Sequence, residues 1–390
     1  MQENTSHSVR LSAYYFAVFL VAGVHLPYWP VWLTDRGLSA SDIGLLAGIA
    51  MLLRVITGPL IALASDRAGR RRTQIVLFTI CLGGSFSLFY FTYSFSGILL
   101  VTLLTTTLIA IIMPLIDTMT MAQYTERRVD YGRVRLWGSI SFIGASAGGG
   151  WFLARAGSSI ILPLVLSGCA VAIIAAFLLP RETTQPPGAP PQRANLRMAL
   201  QLFRDRHFQL FVIAGSLLQA SHSVYHTFGT LNWQRLGIGG TVIGLLWAVG
   251  VIAEIILFAL SPRVMARFGP ASLLVLGGVA GVIRWTIVAF DPPLALLFPL
   301  QILHAFTFGA VHLAAMHFIN QAVPPHLAVT AQGVYAALSI GIVTGIVTYG
   351  SGFAYTMFDS FAYLGMALAC GAGGLCALQL RRSWTGEKLM

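Results

Sequence analysis

The sequence predicts an all-α membrane protein, with twelve transmembrane helices in two pseudo-symmetric six-helix lobes. Three observations predict it. The chain of 390 residues is 56% hydrophobic and only 9% charged, whereas about a quarter of a soluble domain is charged. Long, nearly uncharged runs recur along the whole chain, and a helix needs about 20 apolar residues to cross a bilayer core. A segment also returns 200 residues later: Gly37, Ile43, Gly44, Leu45 and Leu46 match Gly237, Ile243, Gly244, Leu245 and Leu246. At the same offset Arg67 and Gly69 match Arg267 and Gly269, and Trp32 lies one position from Trp233.

The apolar runs place spans at 10–33, 40–64, 73–93, 98–122, 134–155, 159–179, 207–233, 240–262, 272–290, 293–319, 327–355 and 359–380. The ~10-residue alternating strands of a membrane barrel are absent from the sequence. Residues 1–180 make the first lobe, 181–206 a cytoplasmic linker and 207–390 the second lobe. Pro186, Pro187, Pro190 and Pro191, with Gly188 among them, mark the linker, and a basic stretch from Arg193 to Arg206 follows. Within it, residues 194–203 carry the pattern of a short interfacial helix. In the fifth span Ser139 and Ile140 match Ser339 and Ile340 of the eleventh. Both spans are rich in glycine, which lets membrane helices approach closely.

The formal charge of +11 would suit nucleic acid, but its placement excludes that partner. Arg10, Arg67, Arg70 to Arg72, Arg127, Arg128, Arg133, Arg135, Arg181, Arg193, Arg197, Arg204, Arg206, Arg263, Arg267, Arg381, Arg382 and Lys388 share the N-terminal side. Only Arg36, Arg155 and Arg235 fall on the other side. This is the positive-inside pattern of a multi-pass protein of the cytoplasmic (inner) membrane with both termini in the cytoplasm. The N-terminus carries no small-residue cleavage site after a short apolar core, so a retained tail is expected. Cys81, Cys169, Cys370 and Cys376 fall within spans and read as packing residues. His222, His226, His312 and His317 have no metal-ligand spacing. No catalytic constellation or cofactor motif points to an enzyme.

After the second span runs Asp66-Arg67-Ala68-Gly69-Arg70-Arg71-Arg72. It resembles the loop signature of the major facilitator superfamily, Gly-x-x-x-Asp-Arg-x-Gly-Arg-Arg, with Ala62 in place of the first glycine. The resemblance implies a gating loop of Asp66, Arg67, Gly69 and Arg70, in which Asp66 pairs with arginines and caps a neighbouring helix as a breakable latch. The second half has Ala266 where the aspartate would stand.

A charged side chain at mid-bilayer costs at least ~2.5–3.5 kcal/mol. The spans nevertheless hold Arg54, Asp117, Glu254 and Arg284, with Arg135 near the start of the fifth. Arg54 and Glu254 occupy equivalent positions in the repeat. These charges are expected to face one water-filled cavity and pair there. Aromatic residues, among them Tyr28, Trp29, Trp32, Trp137, Phe142, Tyr225 and Trp247, supply a cavity wall or lipid-interface belts.

The run from Asp130 to Ser139 resembles the fifth-span entry of the oligosaccharide and nucleoside proton symporters, and is closer to the 3-phenylpropionate permease branch. So do 26–33, 247–254, Gln301 to His304, and 312–316. The resemblance implies a proton-coupled secondary transporter that works as a monomer by alternating access, importing a small organic solute, in first place an aromatic or other monocarboxylate. It implies a substrate site at Asp117 and Arg135, to which Arg54 adds a carboxylate clamp and Trp32 and Phe142 add walls. It assigns proton coupling to Glu254, Arg284 and His304. A buried carboxylate holds its proton and one beside a cation releases it, so a changing Glu254–Arg284 distance would drive coupling, with His304 as relay or orienting group. Two departures weaken a disaccharide reading: Thr307 stands where lactose permeases carry a second span-ten carboxylate, and the charged pair linking spans seven and eleven is missing. The alternatives are symport of a neutral sugar or nucleoside, and proton-antiport export. Against export, Gly148, Gly149 and Gly150 occur without the proline typical of such pumps.

Overall fold

The computed structural model describes residues 2–68, 71–127, 130–180 and 200–389, the side chains of 2–5, 58–68 and 123–127 excepted. The described residues form helices joined by short turns, with no strand among them. In the first half these are α1 (Gln2–Asp35), α2 (Ala40–Ala68), α3 (Arg71–Leu88), α4 (Phe95–Arg127), α5 (Tyr131–Ala156) and α6 (Ile161–Leu178). In the second, α7 runs in two pieces, Arg206–Ala220 and Ser223–Arg235. It is followed by α8 (Gly240–Ala259) and α9 (Ser261–Ala289). Helix α10 comprises Leu294–Ile302, a π stretch Ala305–Ala310 and Val311–Ala322. Helix α11 repeats that plan with Ala328–Tyr335, π stretch Ala336–Val343 and Thr344–Phe358, and α12 is Ala362–Ser383.

Nine stretches among the described residues are long and apolar enough to cross a membrane, the last of them, Pro325–Ser383, containing both α11 and α12. Helices α5 and α7 lie outside these nine. Arginines and glycines dilute α5, and α7 is interrupted between Ala220 and Ser223. The run from Ser261 is two helices: Gly269, whose φ of 65° and ψ of 166° break it, ends the first, and Pro270 begins the second, close to the span expected at 272–290.

Contacts divide the chain into two compact units, Met1–Pro186 with Trp233–Ala248, and Pro187–Asn232 with Val249–Met390. The two halves reuse one packing plan. In the first unit α1 lies along α5 and α6, and α3 along α4 and α6; in the second α7 lies along α11 and α12, and α9 along α10 and α12.

The sequence repeat is also a repeat of conformation. Gly37 (φ 84°) and Gly237 (φ 76°) both end a helix in the left-handed region. Around them Gly37 N–H donates to Thr34 O and Leu38 N–H to Leu33 O, while Gly237 N–H donates to Gln234 O and Ile238 N–H to Trp233 O. Each set is the Schellman pattern, which satisfies terminal carbonyls and favours glycine because it lacks a Cβ. Gly37→Ala or Gly237→Ala is expected to cost about 1 kcal/mol, read as a lower midpoint in thermal unfolding of the detergent-solubilised protein.

Within the first unit the start of α8 packs against α5 at van der Waals closeness. A Cβ at Gly244 would collide with the Ser146 carbonyl and stand 2.9 Å from Tyr28 Oη, and one at Gly150 would collide with the Gly240 carbonyl. Tyr28 Oη donates to Ser146 O, tying α1 into the same contact. Gly244→Val is expected to force α5 and α8 apart at a cost of about 1–3 kcal/mol. The loss is read as a lower midpoint in thermal unfolding of the detergent-solubilised protein.

Candidate functional site

Among the described residues, charged side chains gather with polar partners inside the helices of each unit. In the second unit the centre is Arg284 on α9, whose side chain is 0% exposed. Its guanidinium donates through one terminal nitrogen to His304 Nδ1 (3.2 Å) and Thr307 Oγ1 (3.0 Å), and through the other to Gln301 Oε1 (2.9 Å). All three acceptors lie on α10, beside or within its π stretch, a local widening that is frequent at functional sites. Tyr225 Oη on α7 donates to the same Gln301 oxygen (3.0 Å). The rings of Trp285 and Tyr225 lie 4.3 and 4.7 Å from the guanidinium carbon and supply cation–π attraction.

Every hydrogen-bond acceptor of Arg284 is neutral. No carboxylate lies within ion-pair distance of it among the described residues, and its Nε–H is buried without an acceptor. Guanidinium can only donate, so His304 must accept at Nδ1 and carry its hydrogen on Nε2. That nitrogen points to Glu254 Oε2 of α8, 3.7 Å away. The expected direct pair of Glu254 with Arg284 is therefore replaced by a three-part line in which His304 stands between them. The Glu254 side chain is 19% exposed and that of His304 9%.

Thr307 extends the network to α7. Its hydroxyl accepts from Arg284, leaving its own hydrogen for His222 Nε2 at 3.1 Å. His222 turns its other nitrogen to the Gln219 carbonyl (3.4 Å) and packs 5.6 Å from both His226 and His304. A neutral pair thus fills the place where a carboxylate was missed in the sequence.

In the first unit Asp117 on α4 accepts at one oxygen, Oδ1, from Tyr15 of α1 (2.5 Å) and Tyr131 of α5 (3.2 Å). Arg135 lies over the ring of Phe19 (4.2 Å), with Tyr15 at 5.7 Å. The unit thus gathers Asp117 and Arg135 around Tyr15 without a direct ion pair between them among the described residues. Arg54, half-buried on α2, acts electrostatically on His25 of α1, which rests on the rings of Trp29 (5.0 Å) and Phe86 (5.4 Å). Trp32 is 3% exposed; its ring stacks on Trp29 at 4.5 Å and meets Phe89 edge-on. Phe142 is buried on α5, where its backbone lies against Gly23.

The gating-loop residues lie outside this description. Asp66 and Arg67 fall in the last turn of α2, but their side chains, like Gly69 and Arg70 altogether, are outside the described residues. Sequence reasoning missed Tyr15, Tyr131, His25 and Gln301. Their available signals were weak: a tyrosine opposite a span-four carboxylate, and a glutamine one turn before His304.

The family model described as the MFS_1 like family matches residues 8–364. A protein of Escherichia coli (strain K12) named "Probable 3-phenylpropionic acid transporter" is 32% identical over 354 residues, covering 91% of this chain and 93% of its own. The maltose permease of Geobacillus stearothermophilus is 26% identical over 380 residues, covering 96% and 95%. Among solved structures, the nucleoside transporter NupG superposes with a TM-score of 0.83 at 17% identity, over 97% of this chain and 99% of that one. Twelve helices in two like-packed halves, charged side chains set among the helices of each, and a family match over most of the length lead to one conclusion: the chain belongs to the MFS_1 like family and is a multi-pass membrane transporter of the major facilitator superfamily.

Proposed function

We propose that this transporter couples proton entry to the import of a small organic monocarboxylate, with an aromatic acid of the 3-phenylpropionate kind as the leading substrate. The observation that carries the reading is the buried line Arg284–His304–Glu254. A guanidinium held at depth without a counter-ion beside it is costly and marks a working group rather than a staple. Arg284 fixes the His304 tautomer, and His304 offers Nε2–H to Glu254. Ionised Glu254 is drawn to that N–H; protonated Glu254 is released from it. Loading and unloading the proton thereby changes how α8 is held to α10.

The substrate site belongs to the first unit. Arg54 and Arg135 take the carboxylate, Asp117 and Tyr15 set the position of Arg135, and Phe142 and Trp32 shape the apolar surroundings. Similarity at 32% to a protein named for 3-phenylpropionic acid supports the substrate class. The site serves alternating access between 1–180 and 207–390 joined by the linker 181–206, with Asp66, Arg67, Gly69 and Arg70 as the latch. The working form is a monomer in the cytoplasmic membrane with both termini inside, as the loop arginines support.

The experiment is uptake into energised membrane vesicles. An imposed inward proton gradient should drive accumulation of labelled 3-phenylpropionate, and addition of the acid to de-energised vesicles should alkalinise the medium. No uptake and no alkalinisation across a panel of aromatic acids overturns the reading.

One observation favours a second reading: the maltose permease matches 96% of the chain. A neutral sugar makes no demand on Arg54. Arg54→Gln is expected to weaken uptake of the carboxylate by about tenfold or more, mainly through KM, as loss of a charge-assisted hydrogen bond would. Undiminished transport by Arg54→Gln would transfer support to the neutral solute.

A further inference from the structure

A groove of about 820 Å3 lies between the first turns of α1 and α5 and the last turns of α6. Its lining includes neither Asp117 nor Arg135, so it is separate from the cluster around Tyr15. Phe16 is 36% exposed, Trp137 49%, Ile174 63% and Leu178 54%, so its walls offer apolar surface to the surroundings. On a membrane-spanning bundle such surface is covered by lipid acyl chains. Trp137 stands at one wall, as amphipathic rings do near the headgroup level.

Arginines outnumber carboxylates around the groove among the described residues. Arg133 lines it with its side chain 88% exposed. Asp130 meets Arg133 at Nε (3.3 Å), which leaves the terminal guanidinium nitrogens open. The same carboxylate is also spent as the N-cap of α5, accepting from Arg133 N–H at 3.1 Å. Arg10 is exposed one position from Val9 of the lining. Arg72 is held at the same end by a 2.7 Å hydrogen bond to the Phe177 carbonyl, next to Leu178. Arg133 thus lines the groove, and Arg10 and Arg72 lie beside its lining, against the one lining carboxylate, Asp130. Ser8 and Ser12 line it on the α1 side.

We propose that this groove binds one anionic phospholipid from the leaflet on the N-terminal side. An acyl chain runs along Phe16, Trp137 and Ile174, and the headgroup phosphate meets Arg133 and Arg10. A zwitterionic lipid would fill the apolar part equally well; the surplus of arginine selects net negative charge, by about fivefold for each arginine near the surface. The site is independent of the transported solute and of the direction of transport.

The test uses the fluorescence of Trp137, taken as the difference between the wild-type chain and Trp137→Phe. The full chain is reconstituted in phosphatidylcholine vesicles in which a minor fraction of lipid is brominated on its acyl chains. That fraction is phosphatidylglycerol in one set and phosphatidylcholine in the other. Phosphatidylglycerol should quench Trp137 about fivefold more effectively or better. The double variant Arg10→Gln, Arg133→Gln should level the two lipids. Ala13→Phe, which fills the groove and leaves every charge in place, should reduce quenching by both. Equal quenching in the wild-type protein, a preference that survives the double arginine variant, or quenching unchanged by Ala13→Phe would each overturn the proposal.

Discussion

Glu254→Gln is expected to abolish accumulation driven by a proton gradient while leaving exchange of internal for external substrate near the wild-type rate. Glutamine has the shape of a protonated glutamate but cannot release a proton. The variant is therefore fixed in its loaded form. The geometry gives the step a physical basis: Glu254 Oε2 lies 3.7 Å from His304 Nε2, whose other nitrogen is occupied by Arg284. Loss of the carboxylate's charge removes the attraction along this line in every conformation. Exchange requires only the loaded form to cross in both directions, so it persists. Net uptake against a gradient needs the unloaded form to return, so it stops. Both are measured in the same vesicles with labelled 3-phenylpropionate, and retained accumulation would remove Glu254 from the coupling role. Arg54→Glu and Glu254→Arg should each abolish coupled transport, because the equivalent positions serve different tasks.

The helical architecture was legible because its causes are local. An apolar run long enough to cross a bilayer has few alternatives, and the repeat around Gly37 and Gly237 marked a helix end that glycine alone forms at low cost. The interruptions were not legible. Ala305–Ala310 and Ala336–Val343 read as ordinary helix in sequence, and their π geometry arises from what packs around them. The charged site residues were conspicuous for an energetic reason: each charge in a span must be stabilised by something. Their partners were not. Thr107 and Thr118 return their hydroxyls to the carbonyls of Leu103 and Pro114 on their own helices, as most span threonines do. Thr307 stood out only as the replacement of a carboxylate, and its residue type did not announce a role, yet it holds Arg284 and reaches His222. Tyr15 and Tyr131 were hidden in the same way, because a tyrosine in a span is usually packing or interface. Neutral side chains therefore do much of the holding that was expected of opposite charges.

Arg284→Met is expected to abolish coupled transport with little loss of fold stability. The usual result of removing one member of a buried ion pair is a loss of about 3–5 kcal/mol, because the partner is left charged and unpaired. Arg284 has no charged partner within ion-pair distance among the described residues; its acceptors are Gln301, His304 and Thr307. These can pair again among themselves and their neighbours: Gln301 keeps Tyr225, and Thr307 keeps His222. Replacing the guanidinium by an apolar chain of similar length also removes the cost of burying its charge. The variant should thus unfold in detergent within a few degrees of the parent. Arg284→Lys is expected to fail as well, although it keeps the charge. One ammonium cannot reproduce the planar fork that reaches Gln301 on one side and His304 with Thr307 on the other. Without that fork His304 is free to rotate, and Nε2–H is no longer aimed at Glu254. Proton-coupled uptake and thermal unfolding of both variants decide the matter together. Active transport by Arg284→Lys would show that charge alone suffices, and collapse of the fold in Arg284→Met would make Arg284 a structural staple instead.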